Sequence, residues 1–170
     1  YGSIADRYNE MHVHEKDEHY LALTVMAAAL DYYDICSILD VGSGTGRTVS
    51  FIKEKKPNVH IMGVEPVAVL REVGYKGGLS SEDLVKGDAL SLQFRDGEFD
   101  LVCEFGVLHH IQTPEIVVSE MLRVAKKAIF LSDSNNFGQG SLATRRIKQF
   151  INYFGLWKFF SLIKTRGKGY

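Results

Sequence analysis

The chain has 170 residues, 45% of them hydrophobic and 24% charged, a size and balance that fit one globular domain with a single core and argue against long disorder. No apolar run approaches the roughly 20 residues a membrane-spanning helix needs, and the polar start Tyr1-Gly2-Ser3 is no secretory signal, so a soluble, cytoplasmic protein is expected. Net charge is -1, yet the seven basic residues from Gln139 onward (Arg145, Arg146, Lys148, Lys158, Lys164, Arg166, Lys168) meet no acid, so an acidic body carries a basic tail.

In chain order, Glu15 to Tyr33 reads as a helix that covers the rest, and its His19, with His12 and His14 before it, as a solvated face and not a metal site. Ser37 to Val41 is a buried strand, turned by Gly42-Ser43-Gly44-Thr45-Gly46 into a helix that runs to about Lys55 and ends at Pro57. His60 to Val64 is a second strand closing on Glu65-Pro66, and Val67 to Val73 a short helix. Asp83 to Lys86 leads to Gly87-Asp88-Ala89 at the end of a third strand, and Phe99 to Glu104 forms a fourth. Thr113 and Pro114 stand as N-cap and first residue of a helix through Ala125, before a fifth strand, Ala128 to Leu131. Strands alternating with helices predict an α/β fold, a Rossmann-like, doubly wound, mostly parallel sheet with helices on both faces. Cys36 and Cys103, far apart and each within an apolar stretch, read as reduced core thiols.

The chemistry concentrates at Asp40-Val41-Gly42-Ser43-Gly44-Thr45-Gly46-Arg47. A tight strand-to-helix turn needs glycine because a side chain blocks both the positive φ angles and the approach of a ligand to the backbone. A dinucleotide fingerprint would put its third glycine where Arg47 stands. Asp40 just before the turn repels a pyrophosphate and attracts a cation, so the ligand read here carries an ammonium or sulfonium. Blander readings stay open: Asp40 as a turn cap, Glu65 as a solvated strand end, Asp88 as a turn former, and His109-His110 as packed and hydrogen-bonded rings.

These segments resemble, in order, the motifs of class I S-adenosylmethionine-dependent methyltransferases of the small-molecule type. The resemblance covers about Ile4 to Asp133. It implies that Asp40, Gly42, Ser43, Gly44 and Gly46 cradle the methionyl part and ribose of S-adenosyl-L-methionine, and that Glu65 accepts from the ribose hydroxyls. Pro66 and Val67 would wall the adenine, with Asp88 and Ala89 binding its edge. Glu104 and Phe105 would offer backbone carbonyls to the ammonium, and His109 and His110 would stand near the methyl donor as candidate catalytic residues. Ile4-Ala5-Asp6-Arg7-Tyr8 resembles a lid element, with Tyr8 reaching toward the donor. The implied activity is methyl transfer to an oxygen, nitrogen or carbon of a small-molecule acceptor, leaving S-adenosyl-L-homocysteine; neither a metal nor nucleic acid is expected. The rivals are a non-catalytic S-adenosylmethionine-binding module or partner subunit and an NAD(P)-dependent oxidoreductase.

Residues 1-138 read as the cofactor-binding core with its helical lid, and 139-170 as a basic amphipathic tail of the same domain. In the tail Ile147, Phe150, Ile151, Phe154 and Trp157 recur at helical spacing, and Gly155 splits the run into two helices. Such a face suits an inward-turned cover over the acceptor, or peripheral contact with an anionic membrane surface. The strand hairpin that usually closes the family's sheet is absent or truncated here, and the start at Tyr1 favours a piece of a longer protein.

Overall fold

The computed structural model describes residues 18–133 and 141–164. Tyr8, His12, His14 and the segment 134–137 lie outside them. The elements are α1 (Glu18–Ala29), β1 (Ser37–Val41), α2 (Arg47–Lys55), β2 (His60–Val64), α3 (Ala68–Lys76), β3 (Leu84–Val85), β4 (Phe99–Phe105), α4 (Pro114–Val124), β5 (Ala125–Ser132), α5 (Leu142–Tyr153) and α6 (Trp157–Lys164), with a 3-10 turn at Leu108–His110.

The five strands form one sheet in the order β3-β2-β1-β4-β5, and every pairing is parallel. Parallel neighbours require crossovers, and the helices that make them cover the sheet. One apolar cluster gathers Leu23, Met26 and Leu30 of α1 and Val49 and Ile52 of α2 against Ile38 and Cys103. The other packs Val117, Met121 and Val124 of α4 against Leu39, Val41, Val64 and Val102. Strand alternation sends β1 residues to opposite clusters, Ile38 to one and Leu39 and Val41 to the other. Burial at this level makes each of these side chains worth a few kcal/mol, about 2–5 for a Leu or Met truncated to Ala.

Several boundaries differ from the sequence expectation. β3 is only two residues, because Gly87-Asp88-Ala89 leaves the strand and Asp88 pairs across an isolated bridge with Ser91. β5 begins at Ala125, three residues before the expected Ala128, so exposed Lys126 and Lys127 belong to the strand. Thr113 does sit at the N-cap of α4, but its side chain makes no capping bond. Both cysteines are free thiols; Cys103 is buried in the core as expected, whereas Cys36 is exposed, a correction that follows from its place just before β1 and outside the sheet.

The tail forms the two predicted helices, separated at Gly155 with φ of 70°. Ser141 caps α5, its hydroxyl accepting from Thr144 N–H. The aromatic face is not turned inward: Phe150, Tyr153, Phe154 and Phe159 are 57–84% exposed, and no residue of α5 is buried. No helix among the described residues is long and apolar enough to cross a membrane.

Candidate active site

The strand order reverses between β1 and β4, and a doubly wound sheet opens a crevice for ligands at the carboxyl ends of the strands flanking such a reversal. The loops leaving β1 and β4 there are the two that sequence reasoning singled out.

The β1 loop is built by glycines. Gly42, Gly44 and Gly46 have φ of 70°, 58° and 81°, a left-handed run that side chains rarely adopt. A Cβ on Gly42 would lie 2.6 Å from Val107, so this glycine also lets the β1 and β4 loops touch. Ser43 Oγ donates to Val64 O at 3.3 Å, tying the loop to β2. Glu65 is 5% exposed, and its carboxylate accepts Gly44 N–H at 3.0 Å through one oxygen and Val67 N–H at 2.8 Å through the other. Glu65 therefore holds the loop's shape, and each oxygen keeps a further lone pair for a ligand hydroxyl. Pro66 beside it is exposed. Asp88 is exposed too, and one carboxylate oxygen accepts Leu90 N–H at 2.9 Å, an Asx turn that presents the other end of the loop; Ala89 turns its methyl into the core.

Asp40 lies beneath the loop at 2% exposure, with Cys103 Sγ 3.7 Å from one oxygen. Its other oxygen has no hydrogen-bond partner among the described residues. Burial pushes its pKa up to about 8, neighbouring Glu104 and Glu65 raise it further, and nearby Thr48 and Cys103 offset this only in part.

At the end of β4, Glu104 is fully buried and its carboxylate braces two loops, accepting Val107 N–H at 2.9 Å and Ser132 N–H at 3.0 Å. Burial raises its pKa to about 7. Phe105 packs its ring 5.7 Å from that of Phe130, so what it offers a ligand is backbone. His109 is tied to Asp133 twice: the backbone N–H donates to Oδ2 at 3.1 Å and Nδ1 lies 2.6 Å from Oδ1. His110 is exposed, its ring centroid 3.9 Å from that of His109 with the planes tilted by 43°, and burial of its inner edge with the neighbouring imidazole holds its pKa below the usual value. The two histidines are thus placed unequally. Sequence reasoning missed Asp133, which stands 24 residues from His109 and shares no motif with it; the available signal was a polar residue at the carboxyl end of a strand beside the strand-order reversal. It also missed His19, which is half-buried and meets Ser132.

Residues 39–131 match a family model described as a methyltransferase domain, more than half of the chain. The chain belongs to this family. Ajmaline N-methyltransferase of Rauvolfia serpentina is 35% identical over 94 residues, 52% of this chain and 32% of that protein. A probable tRNA methyltransferase 9B of Bos taurus is 33% identical over 90 residues, 51% of this chain and 18% of that one. The chain thus spans about a third or less of the length of these curated relatives. Among solved structures, a putative S-adenosyl-L-methionine-dependent methyltransferase of Methanococcus maripaludis superposes with a TM-score of 0.63 at 19% identity, covering 94% of this chain and 75% of that one, which establishes the shared fold. The fold and family are those of the class I methyltransferases, whose cofactor is S-adenosyl-L-methionine.

The residues present fit that cofactor. The glycine run leaves room for a ligand against backbone where Cβ atoms would stand, and Glu65 retains acceptor capacity for a diol. Asp40 holds an unpaired buried oxygen under the loop that would meet the cationic end.

Proposed function

We propose that this methyltransferase-family chain transfers a methyl group from S-adenosyl-L-methionine to an oxygen- or nitrogen-bearing small molecule, with His109 as the general base and Asp133 as its positioning partner. The observation that carries the reading is the 2.6 Å pairing of His109 Nδ1 with Asp133 Oδ1 at the mouth of the β1–β4 crevice. An ionised carboxylate only accepts, so Nδ1 carries the hydrogen and Nε2 presents its lone pair outward.

When bound, S-adenosyl-L-methionine supplies a methyl already activated on a sulfonium. The chain's own work is then to orient the acceptor and remove its proton. His109 Nε2 takes the proton from the attacking hydroxyl or amine, and Asp133 stabilises the resulting imidazolium and fixes the ring's direction. Side-chain exposures of 27% for His109 and 14% for Asp133 leave the pair reachable yet partly shielded, which strengthens the charge-assisted bond. Gly42, Ser43, Gly44 and Gly46 seat the methionyl and ribose parts, Asp40 faces the cationic end, and Glu65 takes the ribose diol. Pro66, Asp88 and Ala89 border the adenine, and Glu104 and Phe105 line the ammonium side through their backbone.

The deciding experiment incubates the chain with methyl-labelled S-adenosyl-L-methionine and a panel of hydroxyl- and amine-bearing small molecules, with tRNA as the competing acceptor. Label in a small molecule, lost by 10²–10⁴-fold in His109→Ala as is typical of a general base, supports the reading. Label in tRNA alone sinks it, and cofactor binding without transfer to any acceptor returns the chain to a non-catalytic binding module.

A second partner reading rests on the open aromatic face of α5 and α6 alongside the tail's basic residues. That combination supports peripheral contact with an anionic membrane surface. Sedimentation with phosphatidylglycerol vesicles but not with phosphatidylcholine vesicles is the expected result; equal or no sedimentation with both removes it.

A further inference from the structure

His19, on the first turn of α1, is half-buried, and its Nδ1 lies 3.2 Å from Ser132 Oγ at the end of β5. Ser132 is itself held by its backbone N–H on the buried Glu104 carboxylate, so His19 is anchored to the same brace that shapes the β4 loop. Its other nitrogen is turned toward Gly106, the residue at which β4 ends. A Cβ on Gly106 would stand 3.1 Å from His19 Nε2 and 3.8 Å from His109 Cε1. The edges of the two imidazoles therefore converge over Gly106, whose φ of 76° and closeness to His19 leave no room for a side chain at this position. Both rings spend Nδ1 on a protein partner, Asp133 for His109 and Ser132 for His19, and among the described residues neither Nε2 takes a hydrogen bond.

We infer that His19 is a second acceptor-binding residue, and that the acceptor carries a polar group beside its nucleophile, as in a vicinal diol or an amino alcohol. This rests on the acceptor site proposed above. One hydroxyl gives its proton toward His109 Nε2. The neighbouring group meets His19 Nε2, which serves as donor or acceptor according to whether the Ser132 hydroxyl donates to Nδ1 or receives from it. A mere tether between α1 and the sheet would use Nδ1 alone.

The test follows the imidazole Cε1–H resonances by NMR in the presence of S-adenosyl-L-homocysteine while catechol or phenol is titrated in. Catechol should move His19 and His109 along one binding curve and bind at least about five-fold tighter than phenol, with phenol moving His109 alone. In His19→Ala the catechol advantage should vanish. His19→Asn places an amide oxygen where Nδ1 stood, keeps the Ser132 contact and removes Nε2; it should lose the same advantage with an unchanged melting temperature, which a purely structural role would not produce. Retention of the advantage in His19→Asn, or a His19 resonance that ignores catechol while His109 responds, overturns the inference and leaves the proposed function standing. Failure of S-adenosyl-L-homocysteine to bind overturns both.

Discussion

Two buried carboxyls under the crevice, Asp40 and Glu104, give the site a pH signature. Asp40's folded pKa of about 8 lies far above the ordinary carboxylate value of about 3.9, so the folded state holds this proton more tightly than the unfolded chain. Its contribution to stability is full at acid pH and is lost as pH rises through about 8. Glu120, held down to about 2 by its bond from Arg123, has the opposite sign: its stabilisation is fully present across pH 5–8 and is lost only as the pH falls below the ordinary carboxylate range, so it does not change within this window. We therefore expect Asp40→Asn to be increasingly more stable than the parent as pH is raised from 5 to 8, read from urea midpoints; a constant difference across that window contradicts the burial argument. Glu65 has two tasks, so Glu65→Ala should weaken cofactor binding by about 1.5–3 kcal/mol, the range for bonds to a charged group, and also lower the melting temperature, since Gly44 and Val67 N–H lose their acceptor. Weaker binding with no thermal effect would mean that the loop holds without it. Asp133→Asn should lower kcat more than His110→Ala, because Asp133 bonds the His109 ring whereas His110 only packs against it. Equal losses would contradict the assignment. The positions of Asp40, Glu65 and Asp88 at strand ends were legible in the sequence, since each follows an apolar run. Their hydrogen bonds were not: Glu65 bonding back across 21 residues to Gly44 is a tertiary fact with no local pattern.

At the scale of elements, the helices and strands of the sheet followed from periodicity and glycine punctuation, as did the break of the tail at Gly155. What periodicity cannot supply is what covers an apolar face. Ile147 and Phe150 recur at helical spacing, which predicts α5 correctly, yet both remain at least 60% exposed where an inward face was expected. The third strand is present where it was expected but is shorter, Leu84–Val85 alone, because two residues are too few to show alternation and so give no boundary. Since α5 buries nothing, removing residues 141–170 should move the melting temperature by less than about 3 °C, the shift that about 1 kcal/mol produces in a domain of this size. Loss of cooperative unfolding in the truncated chain would make the tail part of the core. By contrast α3 is packed tightly on the cofactor loop: a Cβ on Gly74 would stand 2.8 Å from Thr45 O, so Gly74→Ala should cost both stability and cofactor affinity. A neutral Gly74→Ala would show that α3 can shift away.

For the molecule as a whole, the order β3-β2-β1-β4-β5 brings the loops after β1 and β4 to one edge and sets the glycine run beside the His109–Asp133 pair. Fold class and the place of the crevice were readable because the alternation of strands and helices admits few right-handed parallel arrangements. The acceptor was not, because the side chains proposed to meet it, His19 of α1 and His109 and Asp133 after β4 and β5, come together only in three dimensions. The central claim is that this crevice takes a sulfonium-bearing nucleoside and not a dinucleotide. It stands on the glycine spacing and on Arg47 in place of a third fingerprint glycine. Isothermal calorimetry with S-adenosyl-L-homocysteine and with NADH tests it most directly: the account predicts binding of the former in the micromolar range and none of the latter, and tighter binding of NADH would contradict it.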